Sequence, residues 1–150
     1  YGNLLLIMQI KENLMEAGIE ITHQPPCPEE YINLRVAAGL SPKDKQAAAI
    51  ALDHSIFAIY LRKNEELIGM GRIIGDHGCF YQLVDIAIIP DMQGLGLGRV
   101  IMDTLTDYLN NHLPPGAYVS LIADLPADKL YQKYGFEYTN PHSVGMYRKI

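Results

Sequence analysis

Basic residues are scarce in this chain of 150: twelve Lys and Arg face seventeen Asp and Glu, for a formal charge of −5. That balance excludes the broad basic face needed to hold a nucleic-acid backbone, while leaving room for a local cationic pocket. Cysteine is nearly absent. Cys27 and Cys79 lie far apart, without CxxC spacing or a Cys/His cluster. A disulfide framework and a structural zinc site are therefore not expected, and a reducing cytoplasm is the expected setting. The five histidines, at 23, 54, 77, 112 and 142, show no metal-ligand spacing, so no metal is expected. Long hydrophobic runs are missing too. Residues 4–8 (LLLIM) give way at once to Gln9 and Lys11, far short of the roughly 20 residues that span a bilayer. A basic flank and a small-residue cleavage site are also lacking, so the expectation is one cytoplasmic domain with no membrane partner.

What is present suits a folded domain, since 49% of residues are hydrophobic and 19% charged. Residues 1–18 carry a loose helical pattern ending at Gly18 and no chemistry; they read as a leader, an extra helix or an oligomer contact. Residues 19–150 read as a single domain. Residues 19–23 alternate like a short strand. A helix is expected from Pro28 to Gly39, and a second one with Ser41 as N-cap and Pro42 at its first position. Three strand-like runs follow (55–62, 67–74 and 80–89), joined by short polar turns as an antiparallel meander. Gly69 and Gly71 within the middle run signal a bulge or a close backbone approach. After Pro90 come a glycine-rich loop and a helix stopped at Pro114. A strand at 117–123, a short helix at 127–134, and short strands at 136–138 and 144–149 complete the chain. Strand–helix–strand order late in the chain implies one parallel pair joined by a crossover, and a mixed α/β (α+β) class.

The most informative stretch is Gln93-Gly94-Leu95-Gly96-Leu97-Gly98-Arg99. Glycines at alternate positions let backbone N–H groups turn toward one point, and the helix opening there adds unpaired N–H groups and a partial positive charge. Together they form a site suited to phosphate or pyrophosphate, with Arg99 in the first turn. The spacing is GxGxG. It matches neither GxxxxGK[ST] nor the dinucleotide fingerprint GxGxxG.

Residues 93–98 resemble the Q/R-x-x-G-x-G/A signature of the GNAT superfamily of acyl-CoA-dependent N-acyltransferases. Ile88-Ile89-Pro90 is similar to that family's V-x-P strand end, and residues 127–136 (ADKLYQKYGF) to its A-x-x-[LF]-Y-[EQ]-K-x-G-F segment. The likeness runs from about residue 19 to the C-terminus. It implies a mostly antiparallel twisted sheet flanked by helices, with a splayed parallel strand pair holding the cofactor. It also implies acetyl-CoA as co-substrate, with its pyrophosphate on the amides of Gln93, Gly94, Leu95, Gly96, Leu97, Gly98 and Arg99. The pantetheine arm would lie beside Ile86, Ala87 and Ile88. Homodimers are common in the family, which makes one an expectation here.

The implied reaction is direct attack of a primary amine on the thioester, in a small-molecule or peptide acceptor. A backbone N–H, that of Ile88 by analogy, would polarise the thioester oxygen. Tyr131 matches the general-acid tyrosine; otherwise Tyr131 and Tyr134 are core aromatics at helical spacing. Asp124 stands where the family frequently has Asn. Gln82 stands where some members carry a Glu base, so it could only orient a water. Asp85 is then the nearest ionisable group: a base, or a strand-end carboxylate satisfied by backbone or by Arg72. Tyr31 and Arg35 share a helix face and can meet the acceptor, Arg35 through a carboxylate; alternatively Arg35 is a surface residue paired with Glu30 or an Asp. The acidic chain favours cationic acceptors such as polyamines, while Arg35 points to amino acids. The competing reading of the whole chain is a non-catalytic acyl-CoA-binding or sensing module.

Overall fold

The apolar runs of the middle third become the centre of a five-stranded sheet. A computed structural model describes residues 4–150. Its strands are β1 (Ile19–Thr22), β2 (Phe57–Lys63), β3 (Glu66–Gly75), β4 (Phe80–Ile88) and β5 (Tyr118–Leu121). They lie in the order β1-β2-β3-β4-β5, antiparallel except for the parallel pair β4–β5. The helices are α1 (Leu4–Glu16), α2 (Pro28–Ala37), α3 (Lys45–Asp53), α4 (Leu97–His112) and α5 (Asp128–Gln132). The meander is tied by local chemistry. Asn64 and Glu65 both take positive φ (50° and 65°), the conformation a two-residue hairpin turn requires. At the next turn Asp76 Oδ1 accepts from the amides of Gly78, Cys79 and Phe80 at 2.8, 2.9 and 3.0 Å.

Alternation along β2 sorts the core into two layers. Ile59 and Leu61 join a cluster with Leu14 of α1 and Leu97, Ile101, Met102 and Leu105 of α4. Ala58 and Tyr60 face the other way, toward Tyr31 and Leu34 of α2 and Ala48 and Leu52 of α3. Both faces are covered, which is why these strands are apolar throughout. The approach expected at Gly71 is real: a Cβ there would meet Ile101 Cγ2 at 2.7 Å and Leu105 Cδ1 at 3.0 Å, so α4 seats directly on bare backbone.

Two bulges shape the sheet. Ile68 is the extra residue of β3 where Leu61 pairs Gly69 and Arg62 pairs Leu67. On β4, Val84 pairs Arg72 and Ala87 pairs Met70, so Asp85 and Ile86 together oppose Gly71. The second bulge sits where the parallel pair parts: β5 is in register with β4 only from Phe80 to Leu83. Beyond that, β4 runs on to Ile88 with that edge open.

Three local expectations are corrected. α3 starts at Lys45, capped by Asp44, whose carboxylate accepts from Ala47 N at 2.9 Å; Ser41 and Pro42 lie in the preceding loop. Among residues 136–138 and 144–149 no strand forms. Gly135 turns the chain at φ 85°, Thr139 and Ser143 hydrogen-bond to each other's backbone, and Val144, Met146 and Tyr147 remain exposed. An alternating pattern makes a strand only if a ladder partner is present, and β5 pairs with β4 alone. The 127–134 helix shortens to α5. Residues 1–18 contain the helix α1, anchored by Leu14, and residues 1–3 of that stretch lie outside the described residues. No helix among the described residues is long and apolar enough to cross a membrane.

Gly71→Ala should destabilise the fold by about 1–3 kcal/mol, through overpacking against α4, in urea unfolding. A second test uses pH. Glu30 pairs in two places with Arg62 (2.6 and 3.1 Å) and accepts from the Cys27 amide; Arg62 above all holds its carboxyl down at about 2, from 4.5. A depressed folded value stabilises fully above pH 4.5, and that stabilisation is lost as pH falls toward 2. Glu30→Gln should therefore flatten the melting temperature in that window.

Candidate active site

A cavity of about 580 Å³ opens between the α2–α3 side of the sheet, the free edge of β4, and α5. It gathers most of the residues expected to act. Gln82, Asp85, Ile86, Ala87 and Ile88 of β4 line it, as do Gln93 of the glycine loop, Tyr31 and Arg35 of α2, and Tyr131 of α5.

The floor is a charged cluster. Asp85 takes φ 58° at the bulge, a conformation that L residues adopt at a cost of about 1–2 kcal/mol. Three donors hold it there. Its Oδ2 accepts from the Tyr31 hydroxyl at 2.6 Å and from Arg72 Nε at 2.8 Å, and its Oδ1 from Arg35 Nη1. The Asp85 side chain is only 5% exposed, and the Arg72 guanidinium also lies 5.7 Å from the centre of the Tyr31 ring. Burial, then Asp85, pushes the Tyr31 phenol up to about 12, so it remains a donor.

Both oxygens of Asp85 are engaged, two of the three donors being buried guanidiniums, which is the geometry of a satisfied carboxylate. Arg35 is likewise not a surface residue paired with Glu30, which goes to Arg62. Arg35 bonds Asp85 and clamps the 41–44 loop, with Nε to Ser41 O at 2.9 Å and Nη2 to Ser41 Oγ at 3.3 Å. Tyr31 and Arg35 thus reach the cavity as parts of its floor.

Gly94 and Gly96 take φ 79° and 83°, with open space where a Cβ would point. Gly98 differs: its φ is not positive, and a Cβ would make only ordinary contacts with Ile88 and Leu130, at 3.7 Å. Gly96 caps α4, whose first amides, those of Leu97, Gly98 and Arg99, have no helical acceptor. Leu95 is exposed, whereas the Leu97 side chain is buried in the core, so Leu97 can offer a ligand only its backbone. Arg99 is largely exposed, with Nε 4.0 Å from Asp103 Oδ2. Gln93 Nε2 donates to Ile88 O at 3.0 Å, tying the loop to the end of β4.

Tyr131 lies across the cavity from the charged floor. Its hydroxyl makes no hydrogen bond among the described residues and is not sealed from the cavity. Burial, then the charge of Asp124, pushes its phenol up, so it carries its proton at neutral pH. Tyr134 points elsewhere and donates to Asp103 Oδ1 at 2.7 Å, joining the turn after α5 to α4. Two cationic lining residues, Arg72 and Lys43, lay outside the sequence-based site. Arg72 appeared there only as a partner for Asp85, although a single charge in the run 67–74 was the available signal; Lys43, in a loop, gave none. No cluster of three or more His, Cys, Asp or Glu side chains suited to a metal occurs among the described residues.

Asp85→Asn should cost about 3–5 kcal/mol of unfolding free energy, because it leaves two buried arginines without their counter-charge. Chemical denaturation measures this directly.

The sequence profile of the Acetyltransferase (GNAT) family matches residues 20–136. A solved structure from meticillin-resistant Staphylococcus aureus, of a protein of unknown function described as a probable acetyltransferase, is 46% identical. It superposes with a TM-score of 0.84 over 88% of this chain and 99% of its own. The uncharacterized N-acetyltransferase ycf52 of Porphyra purpurea is 37% identical over 58% of this chain and 51% of its own length. The histone acetyltransferase TAP1 of Glycine max is 30% identical over 71% of this chain and 49% of its own. The chain thus spans about half the length of the curated relatives it matches. Its profile match, its open mostly antiparallel sheet and its glycine loop agree: the chain belongs to the GNAT acetyltransferase family, a family of acyltransferases.

Proposed function

We propose that this chain transfers an acetyl group from acetyl-CoA to a primary amine by direct attack in a ternary complex. One observation carries the reading: a single cavity joins the glycine loop at Gln93, the edge of β4 at Ile86–Ile88 that no strand covers, and the unpartnered phenol of Tyr131. The fit to acetyl-CoA rests on the open backbone at Gly94 and Gly96 and on the free amides at the start of α4. Those amides and Arg99 would hold the pyrophosphate, and the edge of β4 would hold the pantetheine arm. Acetyl-CoA supplies an activated acyl thioester.

The protein's own groups do the rest. The amine must arrive neutral, although such amines ordinarily titrate near 10. Asp85 is fully engaged, so the proton leaves through water, with Gln82 as an orienting group on the cavity wall. The amine nitrogen forms the new C–N bond, the C–S bond breaks, and Tyr131 gives its proton to the departing sulfur. Ile88 N–H is suited to the thioester oxygen. The same loop without turnover would be an acyl-CoA-binding module, and the test below separates the two.

Acetyl-CoA in large excess over its Kd should raise the melting temperature, and Gly96→Val should abolish that rise. Tyr131→Phe should preserve the rise and lower kcat by about 10²-fold or more, in an assay of thiol release over an amine panel. A melting shift without turnover in any amine would favour the binding module.

A further inference from the structure

The protein as a whole is acidic, but its cavity is not. The cations lining it are Arg35, Lys43 and Arg72, and the carboxylates are Asp85 and Asp124, a surplus of one positive charge. Arg35 and Arg72 meet at the floor around Asp85, which leaves the floor with a surplus of one positive charge, whereas Asp124 is close enough to Tyr131 to act on its phenol. The floor is thus net basic, and the carboxylate beside Tyr131 lies apart from that cluster.

Arg72 has a donor face left over. Nε serves Asp85, and Nη1 serves Ala51 O at 3.0 Å and Ser55 Oγ at 2.8 Å. Nη2 makes no hydrogen bond among the described residues. It is not one of the sealed, unpartnered polar side-chain atoms, which there are Tyr60 Oη and Thr106 Oγ1. Because the Arg72 side chain is only 6% exposed and lines the cavity, the Nη2 donors open into the cavity rather than to bulk water. A buried guanidinium with an unused pair of N–H groups is a strong anion donor. Arg35 is less free, since Asp85 and Ser41 occupy it.

We propose that the acceptor is an amino carboxylate, seated with its carboxylate on Arg72 Nη2 and its amine toward Asp124 and Tyr131. This rests on the acetyl-transfer reading and specifies its acceptor. Charge balance supports it. The reactive form of such an acceptor, with a neutral amine and an ionised carboxylate, carries −1 and neutralises the surplus of the lining. A polyamine would instead add positive charge to a cavity already positive. The sign of the cavity thus reverses what the net charge of the chain suggested.

Two measurements test the proposal without any variant. The twenty L-amino acids are screened singly as acceptors with acetyl-CoA, beside their α-carboxamides and spermidine. The best acid and its carboxamide are then titrated calorimetrically into the protein saturated with CoA, which binds without turnover. The acid should exceed its carboxamide about tenfold or more in kcat/KM and in affinity, the loss expected when a charge-assisted hydrogen bond goes unmade. In Arg72→Lys, KM for the acid should rise about tenfold or more while the melting shift with acetyl-CoA is retained; if that variant does not fold, the acid–carboxamide comparison decides alone. Equal use of acids and carboxamides, transfer confined to spermidine, or no transfer to any amino acid would overturn the proposal. In the first two outcomes acetyl transfer itself stands. Absence of any melting shift with acetyl-CoA would instead remove the acetyl-transfer reading, and the proposal with it.

Discussion

Asp85 occupies a left-handed backbone conformation in the middle of a strand, and three donors from two other elements keep it there. The site depends on this one arrangement. The bulge it marks lies just past the last residue that β4 shares with β5, so the same residue that strains the backbone also marks where the sheet opens. Tyr31 and Arg35 come from α2 and Arg72 from β3, so the carboxylate locks a helix, two strands and, through Ser41, a loop into one rigid floor. A buried ion cluster of this kind adds little net stability compared with an apolar core of similar shape. It is costly to break one partner at a time, which makes it a device for fixing geometry.

The acidic chain and the polyanionic co-substrate proposed for it are reconciled by where the positive potential comes from. The loop at 93–99 offers oriented amides and the start of a sixteen-residue helix, with Arg99 as its one formal charge. Formal cations are concentrated instead in the cavity beside β4, where a buried guanidinium acts at short range with little screening. Net charge, summed over the surface, describes neither place.

Some of this was legible in the residues and some was not. The glycine loop was legible because its requirement is local: positive φ at Gly94 and Gly96 is a property of those residues, and a helix must start somewhere near them. The meander was legible for the same reason, through turns at 64–65 and 76–79. The start of α3 was misplaced because Ser41-Pro42 and Asp44 carry competing capping signals, and the tertiary bond from Arg35 to Ser41 takes the first pair out of the helix. The strands expected at 136–138 and 144–149 had the right alternation and no partner. Arg72 was visible as a lone charge in an apolar run, but nothing nearby in sequence said that it would line a cavity.

Sequence alone pointed to the family, to the order of the elements from β1 to α5 and to the glycine loop before α4, because each rests on short-range conformational need or on a motif of adjacent residues. Only the tertiary structure decided what the ionisable groups do. Asp85, Arg35 and Arg72 are far apart in the chain, and their roles follow from which lone pairs and N–H groups are already used when the helices close over the sheet. Hydrogen-bond capacity is shared among neighbours in space. A candidate base can therefore become a structural counter-ion, and a residue counted as its partner can be left with the free donor.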